Sequence, residues 1–127
     1  MSAWLVDTHA VLWFLADDSQ LSPPAKQTME AGESVLLVSS ASIWEMAIKV
    51  GLGKLEVPDD LLAVLRDQGF ETLEVTPAHA WAVRKLPQNA HRDPFDRLLA
   101  VQAGLERLPV ISDDEQLDQY PGLTRRW

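Results

Sequence analysis

The chain has 127 residues, of which 46% are hydrophobic and 24% charged, with a formal net charge of −8 and no cysteine. This length and composition indicate a single globular domain over residues 1–127 and argue against a long disordered chain. The lack of cysteine excludes disulfides and thiolate metal sites, and the acidic balance argues against a nucleic-acid binder with a broad basic surface.

The N-terminal segment is apolar, but Asp7 and His9 interrupt it and no positively charged region precedes it. A signal peptide needs a basic start, and a membrane-spanning helix needs a longer uninterrupted apolar run. We therefore expect a cytoplasmic protein without a membrane partner.

The first half of the chain predicts strands and helices in turn. Residues 3–6 predict a short strand, and a helix is predicted to begin near Thr8. Ser22 and the two prolines after it predict a second helix, because proline suits the first helical turn. The run "SVLLVSS" predicts a buried strand, and "ASIWEMAIKVG" predicts a helix that follows at once.

The second half continues this alternation. The predicted elements are a helix at residues 58–68, a strand at 70–75, a helix at 76–86, a helix from Asp93, a strand at 108–112 and a helical turn at 113–120. Strands separated by helices at this spacing form βαβ units. We therefore predict an α/β fold, with a mostly parallel central sheet flanked by helices on both faces.

Acidic residues fall where this plan brings strand ends together. In a parallel sheet, the strand ends and the starts of the following helices meet at one edge, where ligand sites form. Asp7 ends the first predicted strand, Glu45 lies in the opening turns of a helix, and Asp96 lies in the first turn of another. Asp113 and Asp114 follow the last predicted strand. We expect these carboxylates to gather at one edge of the sheet.

Local helix chemistry offers a second explanation for these acids. Asp93 and the proline after it fit a helix N-terminus, and Asp96 then lies near the positive end of the helix dipole. Asp7 and Asp114 are also placed to cap helices, and Glu45 follows a serine by three residues, which is the spacing of a capping box. For each acid taken alone, both explanations stay open.

Taken together, the acids require a positive partner. Two carboxylates about 6 Å apart repel by roughly 3 kcal/mol at an effective dielectric constant of about 20. Arg97 is the basic residue that the sequence places beside these strand ends, whereas Mg²⁺ prefers oxygen ligands and would neutralise the cluster. We therefore predict a site for Mg²⁺, with Mn²⁺ as the alternative. Such an ion suits phosphodiester hydrolysis and reverses the local field that an RNA substrate meets.

Contacts to RNA phosphates outside that site are predicted for the segment "RKLPQNAHR" and the helix after it. The residues are Arg84, Lys85, His91, Arg92 and Arg97. The alternative is an ordinary solvated loop.

Aromatic residues receive a more cautious interpretation. His9 lies two residues after Asp7, and both general-base duty and a packing role are open to it. Four tryptophans lie in apolar or helical surroundings, and we interpret them as core or subunit-contact residues rather than as base-stacking platforms. These are Trp4, Trp13, Trp44 and Trp81. Trp13 and Trp44 are candidates for a homodimer contact. The C-terminal "RRW" is a tail that either touches RNA or frays.

Four stretches resemble the successive acidic motifs of a known family, and the likeness covers nearly the whole chain. They are "LVDTHAVLWFL", "SSASIWEMAIKVGLGKL", "HRDPFDRLLAVQA" and "VISDDEQLDQY". In this order they resemble the PIN-domain family, and within it the VapC-like toxins of type II toxin–antitoxin systems. The resemblance implies a Mg²⁺-dependent endoribonuclease that leaves 5′-phosphate and 3′-hydroxyl ends. It also implies an inhibitory antitoxin as partner.

The resemblance further implies an acidic quartet at Asp7, Glu45, Asp96 and Asp114. Asp7 and Asp96 would be the primary metal ligands, and Glu45 and Asp114 would complete the site or position water. Asp113 competes with Asp114 for the fourth place, and Asp114 is chosen by its spacing from the serine before it.

Asp93 also recurs in this subgroup's version of the third motif, but Asp96 corresponds to the general family acid. Asp93 is therefore assigned the capping role.

Two alternative functions are an aspartyl phosphotransfer domain and a non-catalytic binding module. An aspartyl phosphotransfer domain would use Asp7 as nucleophile, but such domains, by resemblance, carry a second aspartate where this chain has His9. A non-catalytic binding module would use the acids only as helix caps. Metal dependence of stability distinguishes this module from the nuclease.

Overall fold

The computed structural model describes residues 2–87 and 92–127. The strands are β1 (Ser2–Val6), β2 (Ser34–Ser39), β3 (Phe70–Leu73), β4 (Val110–Ile111) and β5 (Arg125–Arg126). The α-helices are α1 (Thr8–Leu15), α2 (Pro23–Glu30), α3 (Ser40–Gly51), α4 (Leu61–Asp67), α5 (Pro77–Ala82) and α6 (Pro94–Glu106). Two 3₁₀ turns cover Val83–Lys85 and Glu115–Gln119. None of the described helices combines the length and the apolar character needed to cross a bilayer.

The strands form one parallel sheet in the order β3-β2-β1-β4-β5. Strand β1 is central, with Val6 opposite Val38 of β2 and opposite Ile111 of β4. The predicted α/β fold with a parallel central sheet is therefore confirmed.

Side chains of successive strand residues pack into two cores on opposite faces of the sheet, as the pleat requires. On one face, Trp4 and Val6 pack with Leu36 and Val38 against helices α1 and α2. On the other face, the fully buried Leu5 packs against α6 residues. This arrangement confirms the prediction of helices on both faces.

Most helices begin where the sequence predicts. The side chain of Ser22 accepts a hydrogen bond from the backbone N–H of Ala25, and the two prolines fill the first turn of α2. Helix α4 begins three residues later than predicted, because Leu61 N–H closes a turn onto the carbonyl of Pro58. Strand β3 stops at Leu73 rather than residue 75. Just beyond the strand, the N–H of Val75 donates a hydrogen bond to the hydroxyl of Ser40 instead of to a neighbouring strand.

The C-terminal segment does not fray, which corrects one of the two expectations for "RRW". Arg125–Arg126 form the edge strand β5 beside β4. Trp127 packs against the core below α1, with its ring centroid 5.8 Å from that of Trp13. The guanidinium of Arg126 lies 4.5 Å from the centre of the Trp4 ring. The short strand escaped prediction because two arginines give no apolar pattern.

Arg125 ties this strand to the turn before it. Its Nε and Nη2 each donate to one carboxylate oxygen of Asp118 at 3.0 Å, and its Nη1 donates to the carbonyl of Ser112 at 3.1 Å. These hydrogen bonds lower the pKa of Asp118 below its usual range.

We predict that Asp118→Asn lowers the melting temperature at pH 7 and at low ionic strength. Because the folded-state pKa is depressed, the ionised carboxylate stabilises the fold above its unfolded pKa, and this contribution is lost as the pH falls through the folded pKa. The melting curves of wild type and variant should therefore converge in acid, and also in high salt, since the pair is exposed. A difference that persists at pH 2 would contradict the ion-pair explanation.

Candidate active site

The ends of β1, β2 and β4 lie side by side at the carboxyl edge of the sheet. The N–H of Asp7, just past β1, donates to the carbonyl of Ile111 in β4 at 3.1 Å. On its other side β1 pairs with β2, which leads directly into α3. Residues that follow these three strands are therefore neighbours in space although they are distant in sequence.

Asp7 occupies the centre of this edge. Its Oδ1 caps helix α1 by accepting a hydrogen bond from the N–H of Ala10 at 2.8 Å. Burial raises the pKa of Asp7, while a hydrogen bond from the side chain of Ser112 and the one from Ala10 partly oppose this effect. The net increase means that burial leaves the negative charge of Asp7 poorly solvated.

Ser112 links two of the predicted acids. It is fully buried just past the end of β4, and its hydroxyl oxygen accepts a hydrogen bond from the N–H of Asp114 at 3.0 Å. The same hydroxyl donates a hydrogen bond to the carboxylate of Asp7. Asp114 in turn caps the following 3₁₀ turn, accepting from the N–H of Gln116 at 3.0 Å. We identify Ser112 as a positioning residue that the sequence interpretation used only for spacing.

Helix α6 begins as predicted. Asp93 is its N-cap and accepts hydrogen bonds from the N–H groups of Phe95 and Asp96 at 2.8 and 3.3 Å. Asp96 lies in the first turn and is half-buried. The capping role assigned to Asp93 is therefore confirmed.

Glu45 does not belong to a capping box. The N-cap of α3 is Ser39, whose side chain accepts from the N–H of Ala41, and the serine three residues before Glu45, Ser42, lies inside the helix. Instead, Oε2 of Glu45 lies 3.2 Å from Nζ of Lys49, one helical turn later. Sequence reasoning overlooked this lysine as a positive partner at the edge, although the i, i+4 spacing signals such a pair.

Two adjoining recesses open at this edge. The larger cleft, of ≈ 670 Å³, is lined by Asp7, His9, Trp13, Gln20, Asp96, Asp113, Asp114, Glu115 and Gln116. The smaller recess, of ≈ 120 Å³, is lined by Asp7, Thr8, His9, Ser42, Glu45, Lys49, Asp93, Phe95, Asp96 and Leu99. Asp7, His9 and Asp96 line both, so the two recesses adjoin, and each of the four predicted acids lines at least one of them; we call the two recesses together the acidic depression.

The donor chemistry of this depression fits a hard divalent cation. Its acids offer carboxylate oxygens, which are the ligands that Mg²⁺ and Mn²⁺ prefer. Within residues 2–87 and 92–127, no three histidine or carboxylate side chains converge tightly enough to hold an ion among themselves. An ion in this depression would therefore have to be held by one or two carboxylates and several waters, which is a coordination that Mg²⁺ commonly adopts.

The basic residues predicted to contact phosphates lie elsewhere. The guanidinium of Arg84 lies 4.4 Å from the centre of the Trp81 ring, and Nη1 of Arg97 is 3.5 Å from the carbonyl of Pro87. Lys85 and Arg92 are exposed. None of these residues is among those that line the two recesses. His91 lies outside the described residues, as do residues 88–90 of the predicted loop.

The chain matches the PIN domain over residues 4–123, which includes every acid of the depression. It belongs to the PIN-domain family. Among relatives of this PIN domain, Ribonuclease VapC22 of Mycobacterium tuberculosis (strain ATCC 25618 / H37Rv) is 27% identical over 122 residues, covering 94% of this chain and 93% of that protein.

Solved PIN-type structures share the fold over the full length. VapBC2 from Rickettsia felis, bound to a DNA fragment from its promoter, superposes with a TM-score of 0.72 at 14% identity, covering 98% of this chain and 97% of that one. DNA-bound VapBC from Salmonella typhimurium gives a TM-score of 0.70 at 19% identity, covering 99% of this chain and 98% of that one. These similarities confirm the fold predicted from the sequence.

We predict that Asp7→Asn raises the melting temperature of the metal-free protein at pH 7. Because burial raises the folded-state pKa of Asp7, the ionised form costs stability at neutral pH, and that cost is relieved as the pH falls through the folded pKa. Asparagine removes the charge and still caps a helix, whereas Asp7→Ala also removes the cap and should be less stable than Asp7→Asn by about 1 kcal/mol. Melting curves in EDTA measure both differences. If both variants instead melt at an equally lower temperature than wild type, the hydrogen bonds of the Asp7 carboxylate stabilise the fold by more than its desolvation costs.

Proposed function

We propose that this protein is a Mg²⁺-dependent endoribonuclease, in which residues 1–127 form a single PIN-type nuclease domain. The observation that carries the proposal is the shared lining of the two recesses. Asp7 and Asp96 line both of them, with Glu45 in the smaller and Asp114 in the larger. Acids that line the same recesses are stabilised by a cation between them, and carboxylate oxygens suit a divalent one.

In this proposal Asp7 and Asp96 hold the ion, and Glu45 and Asp114 complete the site or orient water. The bound cation supplies Lewis-acid stabilisation of charge on the scissile phosphate and lowers the pKa of water in the site. Lys49, which is paired with Glu45 in the smaller recess, offers a direct positive contact for a phosphate. Arg84, Lys85, Arg92 and Arg97 would contact RNA phosphates farther from the cut.

We further propose that the protein acts in the cytoplasm as the toxin of a type II toxin–antitoxin pair, and that a cognate antitoxin inhibits it. The support comes from relatives: VapC22 is named a ribonuclease, and similar folds come from VapBC complexes and from a toxin–antitoxin complex of Klebsiella pneumoniae. The partner of such a toxin must be removed before activity is measured.

We predict that the protein, purified free of any co-expressed inhibitor, cuts cellular RNA with Mg²⁺ and not with EDTA. Loss of a residue that stabilises transition-state charge typically costs about 100-fold or more. Asp7→Asn and Asp96→Asn should therefore each lose at least that much activity, as measured by mapping cuts and their 5′-phosphate ends across total RNA.

Asp93→Asn is the matched control, because asparagine preserves the cap of α6 and removes one charge from the smaller recess without changing the proposed quartet. Asp113→Asn and Asp114→Asn, compared side by side, decide which acid takes the fourth place. If Mg²⁺ and Mn²⁺ leave the melting temperature unchanged and the protein cuts no RNA, it is instead a binding module whose acids cap helices.

We also propose a homodimer, formed through helix α3. Trp44, Ile48 and Leu52 are 61%, 40% and 64% exposed and follow each other at four-residue spacing along one face. The ring of Trp44 also contacts Phe95, which lines the smaller recess.

We predict that Ile48→Glu shifts the protein from dimer to monomer in light scattering. A charge buried in an apolar contact is strongly unfavourable, whereas the same change at the exposed Leu62 of α4 should leave the mass unchanged. A wild-type protein that is monomeric at high concentration would exclude the dimer.

A further inference from the structure

One wall of the larger cleft is aromatic. The rings of His9 and Trp13, one turn apart on α1, are stacked with centroids 5.6 Å apart and planes 19° apart. Trp13 is half-buried and contacts the ring of Trp127, which directly follows the edge strand β5. His9, at the outer end of this stack, is exposed. The exposed imidazole is therefore a flat surface with rigid support behind it.

The remaining walls of this cleft carry no positive charge to attract a phosphate. Among the described residues that line it, five are acidic and none is lysine or arginine; the acids are Asp7, Asp96, Asp113, Asp114 and Glu115. A phosphate here would meet repulsion except beside a bound cation. A neutral nucleobase meets no such penalty, and it gains from stacking on an aromatic ring.

Side-chain amides also line the cleft. Gln20 and Gln116 are exposed, and each offers a donor and an acceptor. The Nε2 of Gln20 is only weakly engaged, at 3.4 Å from Asp18. Amides of this kind can hydrogen-bond the edge of an unpaired base that lies flat on the neighbouring ring.

We propose that His9, backed by Trp13, is a base-binding subsite for single-stranded RNA, in which an unpaired base beside the scissile phosphate stacks on the imidazole. The inference rests on the proposed nuclease function and adds an orientation to it. His9 lines both recesses, so the phosphate lies toward Lys49 in the smaller one while the neighbouring base lies on the larger-cleft side of His9, where Trp13 and the two glutamines are. A base inside a duplex cannot reach this position without leaving its stack.

A pair of substitutions at His9 separates stacking from acid–base chemistry. His9→Phe keeps a flat ring and loses both nitrogens, whereas His9→Ala loses the ring as well. Because stacking on one aromatic side chain is worth about fivefold to a hundredfold in affinity, His9→Ala should raise KM for single-stranded RNA by that factor with little change in kcat. His9→Phe should stay within about threefold of wild type in both constants. A fall in kcat in both variants at unchanged KM would overturn the proposal, because His9 would then act in the chemical step.

Binding without cleavage supplies the second measurement. Asp96→Asn, in which cutting is expected to be blocked, is titrated with a short unstructured RNA, with the same RNA carrying abasic positions, and with its duplex. The subsite requires that one abasic position weaken binding by about fivefold or more, that the duplex bind more weakly, and that the abasic penalty vanish when His9→Ala is added. Equal binding of all these RNAs overturns it.

The experiments distinguish a failure of the nuclease proposal from a failure of the base-subsite proposal. If wild type cuts RNA but neither His9→Ala nor the abasic positions matter, the nuclease proposal stands and the subsite falls. If wild type never cuts RNA with Mg²⁺ but the abasic penalty is present and depends on His9, the nuclease proposal falls and the base subsite stands. Melting curves of both His9 variants confirm that the fold is intact.

Discussion

The structure depends on holding negative charge at the centre of a parallel sheet edge. Asp7 follows the central strand, and burial there raises its pKa. A pair of carboxylates about 6 Å apart repels by roughly 3 kcal/mol at an effective dielectric constant of about 20. The fold offsets part of this cost with oriented donors, the N–H of Ala10 and the hydroxyl of Ser112. The remainder is what a divalent cation would relieve.

Helix capping and a functional site are not alternatives in this protein. Asp7 and Asp114 each cap a helix or turn with one carboxylate oxygen and also line the acidic depression. A carboxylate has two oxygens and several lone pairs, so one oxygen can fix its orientation while the other faces a ligand. The cap also places the acid at the positive end of a helix dipole, which lessens its repulsion with its neighbours. Asp93 has the same local geometry but lines only the smaller recess.

The sequence predicted the fold because its strong signals were local and consistent: apolar runs, prolines after Ser22, and Asp93 before Pro94. It missed features that depend on contacts between distant segments. Strand β5 is two arginines whose pairing with β4 leaves no mark in local composition. Ser112 looked like a spacing marker, and its link to Asp7 exists only because β1 and β4 are neighbours. Two local signals were overlooked, the Glu45–Lys49 pair and the His9–Trp13 stack, which share four-residue helical spacing. Trp44 and Trp81 are largely exposed, which excludes the core alternative for both and leaves their predicted role in a subunit contact untested.

In the proposed nuclease, the two recesses would have different roles in binding RNA. An acidic protein cannot gain affinity from a broad field of lysine and arginine, so its affinity must come from a few specific contacts. Lys49 supplies positive charge in the smaller recess, and Trp13 supplies an aromatic wall to the larger one, while His9, stacked on Trp13, lines both. A substrate that used both recesses would cross the acids with its backbone turned toward α3 and a base turned toward α1. Its phosphate and its base would then be held by separate contacts, so that the acids need not provide the affinity themselves.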